Sequence, residues 1–191
     1  MGWTAFLDAC VLYPSSTRDL LLRGADAYLY RICWSPEVLE EVRRNLVADQ
    51  RCTGEQADEL IAVMTGHFPE ALVTGYERLV LAMGADEGDR HVLAAAVVAN
   101  ADVIVTNKVR HFPIAAYEPY GLEVQTADEF LSFSFDLAPH TMGAAFLRQV
   151  ADWNRPALDV SAALSRLDAR LPSLASRLRT LPEVRAAAGL R

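Results

Sequence analysis

Apolar positions along the chain fall into short blocks, and the period inside each block tells strands from helices. Residues 3–7 run apolar up to Asp8, and residues 28–33 form a second run rich in aromatic and aliphatic side chains. Both read as buried strands. Between them, Thr17 to Ala27 can form a helix. Ser35-Pro36-Glu37 then supplies an N-cap hydroxyl, a proline at the first helical position and an acid in the first turn, which predicts a helix from Pro36 to about Ala48. On it Val38, Val42 and Leu46 recur four apart with Leu39 beside them, an apolar stripe that leaves most of the charged residues facing solvent. Residues 54–65 repeat the helical pattern. A further helix opens at Asp86 or Gly88 and carries Val92, Leu93, Ala96 and Val97. Val103 to Val105 is a continuous apolar strand, and Leu122 to Val124 reads as an edge strand.

Strands alternating with helices imply an α/β fold of βαβ units with a parallel sheet and right-handed crossovers. Ligands in such sheets collect beyond the carboxyl ends of the strands. From about Phe133 the strand pattern stops and two or three helices are expected, with breaks at Asn154-Arg155-Pro156 and Leu171-Pro172-Ser173. Leu158, Leu164, Leu167, Leu171, Leu174, Leu178 and Leu181 recur there at helical intervals beside arginines. That stripe is expected to pack on the preceding domain or on another protein. The expected division is a domain over 1–132 and a C-terminal helical extension over 133–191.

Composition sharpens this picture in three places. A chain of 191 residues that is 52% hydrophobic can bury a sizeable core. Its net charge of −7 is uneven: residues 1–140 hold 10 basic and 21 acidic side chains, whereas residues 141–191 hold 8 arginines and 4 acids. A strongly acidic main domain repels phosphate backbones, so nucleic acid binding there needs a local basic patch, a metal or a partner. The longest apolar stretch, Val92 to Val105, is interrupted by Asn100 and Asp102 and falls short of the roughly 20 residues of a membrane span. With no basic segment before the acid at position 8, the expectation is a cytoplasmic protein without a membrane. Cys10, Cys33 and Cys52 form no CxxC pair and are expected to be buried apolar fillers in a reducing compartment.

The candidate chemistry is carboxylate chemistry. Asp8 follows a strand end, where an acid faces a cleft or simply forms a turn. Asp86 and Asp89 stand three apart and can meet on one helix face, or can cap the helix that follows. Glu41 lies beside Glu40, and either can be a solvated charge paired with Arg43 or Arg44. Thr106 and Asn107 end the third strand, where a hydroxyl and an amide orient water or a carboxylate, or cap the next turn. Convergence of Asp8, Asp89 and a helix glutamate changes the physics. Like charges about 4 Å apart repel by roughly 4 kcal/mol at an effective dielectric near 20, and a hard divalent cation such as Mg²⁺ or Mn²⁺ resolves the conflict with oxygen ligands. The histidines at 67, 91, 111 and 140 offer no HExxH spacing, and no GxSxG, Walker A or GxGxxG sequence occurs. A phosphohydrolase of the haloacid dehalogenase type starts from the same strand-end acid, but places a second aspartate where Cys10 stands.

Four segments in order resemble the PIN-domain ribonucleases, and within them the VapC-like toxins of bacterial toxin–antitoxin pairs. They are Phe6-Leu7-Asp8 through Pro14, Ser35-Pro36 through Leu46, Asp86-Glu-Gly-Asp89 with its alanine-rich helix, and Val105-Thr106 through Pro113. The resemblance implies a PIN-like three-layer α/β/α fold with a central parallel sheet. It also implies an acidic cleft that binds Mg²⁺ or Mn²⁺ and hydrolyses RNA as an endoribonuclease. By position it makes Asp8 and Asp89 metal ligands, Glu41 rather than Glu40 the helix acid that supports them, and Asp86 an auxiliary acid. Thr106, Asn107, Lys108 and His111 are auxiliary positions at the fourth corner. There the chain departs from relatives that carry Asp or Asn at the place of Lys108 and Asp at that of His111. Lys108 or Arg110 can then contact a phosphate, His111 can position a leaving group, or the cleft is weakened and serves as an RNA- or protein-binding scaffold. The family further implies a homodimer, an RNA substrate and a cognate antitoxin.

Overall fold

In the computed structural model, which describes residues 2–153 and 158–190, the short apolar runs align as one parallel four-stranded sheet flanked by helices. β1 (Thr4–Leu7) lies between β2 (Arg31–Cys33) and β3 (Val103–Val105), and β4 (Glu123–Gln125) is the neighbour of β3, giving the order β2-β1-β3-β4. Phe6 pairs with Cys33 on one side and with Ile104 on the other. β1 and β3 are buried along their whole length, the condition that makes parallel strands read as unbroken apolar runs. Asp8 and Thr106 are the first residues beyond these two adjacent strands. The Asp8 N–H donates to the Val105 carbonyl at 3.1 Å, and the Thr106 N–H to the Gln125 carbonyl at 2.9 Å.

The second run yields a shorter strand than its composition suggests. Tyr28 takes a left-handed φ of 59° and is 95% exposed, and the N–H groups of Tyr28 and Leu29 fold back onto the carbonyls of Ala25 and Gly24. This closes the preceding helix, so pairing begins only at Arg31. The fourth strand likewise sits one residue later than Leu122 to Val124.

The helices follow local signals closely. Chain order gives α1 (Ala9–Leu12), α2 (Ser15–Asp26), α3 (Pro36–Ala48) and α4 (Gly54–His67). At the start of α3 the Ser35 hydroxyl accepts the Val38 N–H at 3.2 Å, and at the start of α4 Thr53 and Gln56 form a reciprocal capping box. A 3₁₀ turn over Glu87–Asp89 leads into α5 (Arg90–Val98), and α6 (Ile114–Tyr117) precedes β4. The remaining helices are α7 (Ala127–Leu137), α8 (Pro139–Asp152), α9 (Val160–Asp168), α10 (Pro172–Leu178) and α11 (Pro182–Ala187).

The chain divides into two compact units: Met1–Pro14 with Tyr30–Thr126, and Ser15–Leu29 with Ala127–Arg191. The first holds the sheet. The expected boundary between 132 and 133 falls inside α7, where Leu131, Ser132 and Ser134 are buried, and the C-terminal segment of the second unit starts at Ala127. α2, read from sequence as part of the first domain, packs within the second unit against α8. Here the Gln149 side chain donates to the Ser16 carbonyl at 2.8 Å. The leucine stripe of the tail turns inward in its own unit: Leu164, Leu167, Leu171, Leu174, Leu178 and Leu181 are all buried, with Phe130 and Phe146 among the large core side chains. α10 starts at the expected Pro172 break, whereas the break expected at Asn154-Arg155-Pro156 lies outside the described residues. No helix among the described residues is long and apolar enough to cross a membrane.

Candidate functional site

Three pieces of the first unit meet at the carboxyl ends of β1 and β3, and each is held there by backbone bonds. Asp8 has an extended backbone at the start of α1 and makes no side-chain cap bond. Its carboxylate therefore serves something other than the helix. Asp8 is fully buried; its Oδ2 accepts the Thr106 hydroxyl at 2.6 Å and the Cys10 thiol at 3.0 Å, while Oδ1 is buried without any partner. Thr106 also accepts the Lys108 N–H at 3.0 Å, and the Cys10 sulfur accepts the Asn107 N–H at 3.1 Å. Burial, followed by repulsion from Asp8, pushes the Cys10 thiol up to about 12, so it stays protonated and able to donate.

Asp89 does not act as a helix cap. Neither Asp86 nor Asp89 makes a side-chain cap bond to α5 or to the turn before it. The nearly buried Asp89 carboxylate instead accepts Lys108 Nζ on Oδ1 at 2.8 Å and lies 2.6 Å from His111 Nδ1 through Oδ2. Burial alone raises its pKa, but these two contacts outweigh it and hold the carboxyl below its usual range. The loops are stitched together as well: the Asp86 N–H donates to the His111 carbonyl at 2.9 Å. The exposed Asp86 carboxylate stands 3.5 Å from His111 Nδ1.

On α3 the two glutamates separate by environment. Glu40 is exposed and lies 3.7 Å from Arg43 on its own helix. Glu41 turns inward, with Oε1 3.0 Å from Nε2 of the buried His91. His91 also lies 3.6 Å from Glu37 through Nδ1, and neither ring nitrogen has the alignment of a hydrogen bond. Contact with His91 lowers the Glu41 pKa against the opposing effect of burial. Burial lowers that of His91, but Glu41 and Glu37 raise it more. The positive charge of Lys108 acts on Asp8, Asp89 and Glu41, so a single ammonium links the three acids electrostatically.

The structure thus gathers Asp8, Asp89, Thr106, Lys108 and His111 into one hydrogen-bonded set, with Glu41 and Asp86 at its sides. Asn107 takes part through its backbone N–H. Two members go beyond the sequence expectation: Cys10 is a bonding partner of Asp8 rather than an apolar filler, and His91 joins through Glu41 without any metal-ligand spacing. Each stands two residues after a key acid, a signal visible in the chain but without meaning until the fold is known. Cys33 is buried as expected, whereas Cys10 and Cys52 are only partly so.

A hard cation suits this donor set in part. The unpartnered, buried Oδ1 of Asp8 is a polar atom that a cation would satisfy. Mg²⁺ or Mn²⁺ needs only one or two carboxylates besides its waters. Among the described residues no three His, Cys, Asp or Glu side chains gather as metal ligands. Both oxygens of Asp89 already carry one contact each, so a cation there would compete with Lys108 and His111 for its charge.

A family model described as PIN domain matches residues 4–110, and one described as VapC50 C-terminal domain matches residues 127–180. The chain is 37% identical over 111 residues to the Mycobacterium tuberculosis (strain ATCC 25618 / H37Rv) protein named "Putative ribonuclease VapC50". The aligned part makes up 58% of this chain and 66% of that relative, just under two thirds of its length. No solved structure matches the chain.

Proposed function

For a chain that belongs to the PIN-domain family, we propose the function of a metal-dependent endoribonuclease, the toxin of a toxin–antitoxin pair. The observation that carries this reading is the Asp8 carboxylate, buried at a strand end with one oxygen locked by Thr106 and Cys10 and the other without a partner, beside an acid held by Lys108 and His111. In this reading Asp8 and Asp89 hold Mg²⁺ or Mn²⁺, which supplies a lowered water pKa and stabilises phosphoryl charge. Thr106 fixes the Asp8 carboxylate in one orientation. Glu41, kept ionised by His91, is placed to accept a proton, and Asp86 adds negative charge at the rim. Lys108 and His111 offer donors to a phosphate in place of a fourth acid.

The substrate is RNA, reached in the cytoplasm, and specificity lies in contacts to unstacked bases. A cognate antitoxin holds the protein inactive, and two copies associate; both assignments rest on the family alone.

The test uses purified full-length protein freed of any inhibitor, with cellular RNA and Mn²⁺ or Mg²⁺. Cleavage by wild type, its loss with chelator, and a fall of about 100-fold or more in Asp8→Asn are expected. Equal cleavage by wild type and Asp8→Asn would overturn the reading. The occupation of both Asp89 oxygens favours a second reading, a weakened PIN-like scaffold that binds RNA or protein without cutting; RNA retention with no cleavage in either metal is its signature.

A further inference from the structure

We propose that Lys108 is a tethered counter-cation which occupies the acid cleft and competes with the divalent ion for Asp89. The inference rests on the reading of Asp8 and Asp89 as cation ligands and adds the element that controls their occupancy.

Lys108 is the sole lysine of a chain that otherwise places arginine at each of its basic positions. An ammonium is a compact point charge on a flexible stem, whereas guanidinium is a planar fork suited to bidentate surface pairs. The chain uses arginine in the latter way, as between Arg177 and Asp136, where two parallel bonds form. Its one ammonium stands inside the acid cluster, 2.8 Å from Asp89 Oδ1. It acts electrostatically on Asp8 and Cys10 as well.

Anchoring and release are both built in. The Lys108 backbone N–H is bonded to the Thr106 hydroxyl oxygen, which itself donates to Asp8, so the residue is fixed at the site by its main chain. Its side chain is 36% exposed and so already borders solvent, on a stem of four rotatable carbons. Without a cation, buried acids at this corner would repel one another, and the ammonium offsets that repulsion. A divalent ion held by Asp8 and Asp89 would compete with Nζ for the carboxylate charge of Asp89.

The experiment measures Mn²⁺ binding by titration calorimetry on the chelator-treated full chain, for wild type, Lys108→Met, Lys108→Gln, Lys108→Arg and Asp89→Ala. In parallel, an amine-acetylating ester labels the protein with and without saturating Mn²⁺, and peptide mass spectrometry reads the modification at Lys108. Circular dichroism establishes that each variant is folded. Lys108→Met and Lys108→Gln are expected to bind Mn²⁺ roughly tenfold more tightly, the size of a half-exposed charge contact. Lys108→Arg, which keeps the charge, stays near wild type, and Asp89→Ala loses binding. Acetylation of Lys108 rises several-fold when Mn²⁺ is bound. Equal or weaker affinity in both neutral variants, or labelling that ignores bound Mn²⁺, overturns the proposal while leaving the metal site standing. Absence of binding in every protein, the neutral variants included, removes the metal reading and this inference with it.

Discussion

Replacing Thr106 with valine deletes one hydroxyl from the centre of the site while keeping the volume of a fully buried side chain. The hydroxyl donates to Asp8 Oδ2 at 2.6 Å and accepts the Lys108 N–H at 3.0 Å. A hydrogen bond to a charged group contributes roughly 1.5–3 kcal/mol, and an amide left unpaired at a half-buried position costs about 1 kcal/mol more. Because valine fills the space, no cavity cost is added, and the expected loss is about 2.5–4 kcal/mol. Among the described residues Asp8 would keep one hydrogen-bond donor, the Cys10 thiol, so β1 and β3 should lose stability together. Two compact units can unfold separately, so native-state hydrogen exchange at the amides of β1 and β3 is the suitable assay. Thr106→Ser, which keeps the donor, should recover most of the loss. A loss below about 0.5 kcal/mol in Thr106→Val would refute the claim that this bond orders the Asp8 carboxylate.

Two further outcomes follow from charge and capping. The contact between Glu41 and His91 lowers the pKa of the first and raises that of the second. The Glu41 contribution is present above its unfolded value of about 4.3 and lost as pH falls through the folded one, while the His91 contribution is present below about 6.5 and lost as pH rises through its raised value. The pair therefore stabilises most between about pH 4.5 and 6.5, and the stability difference between wild type and Glu41→Gln, followed by denaturant unfolding across pH, should peak there; a flat difference would refute it. In the second unit Asp128 accepts the N–H groups of Ser173 and Leu174, each at 3.0 Å, at the start of α10. Asp128→Ala should cost about 1–2 kcal/mol and raise exchange at those amides, and unchanged protection there would show that the cap contributes nothing.

What the sequence determined by itself is what depends on near neighbours. Ser35, Pro36 and the stripe of Val38, Val42 and Leu46 act within a few turns of one helix, and α3 begins and ends where they predict. The unbroken apolar run of Val103 to Val105 similarly identified a buried parallel strand, and the order of Asp8, Asp86 and Asp89 marked which acids to watch. Tertiary structure decided the partners. Glu40 and Glu41 are indistinguishable along the chain, yet His91, 50 positions after Glu41, meets Glu41 and not Glu40. Asp89 was as good a helix cap as a site acid until Lys108 and His111 claimed its oxygens. α2 carries an ordinary amphipathic pattern that fits either unit, and packing against α8 settled its place. Propensity and capping act over a few residues, but compensation of buried charge depends on which distant side chains the sheet brings within about 3 Å, and no local pattern encodes that distance.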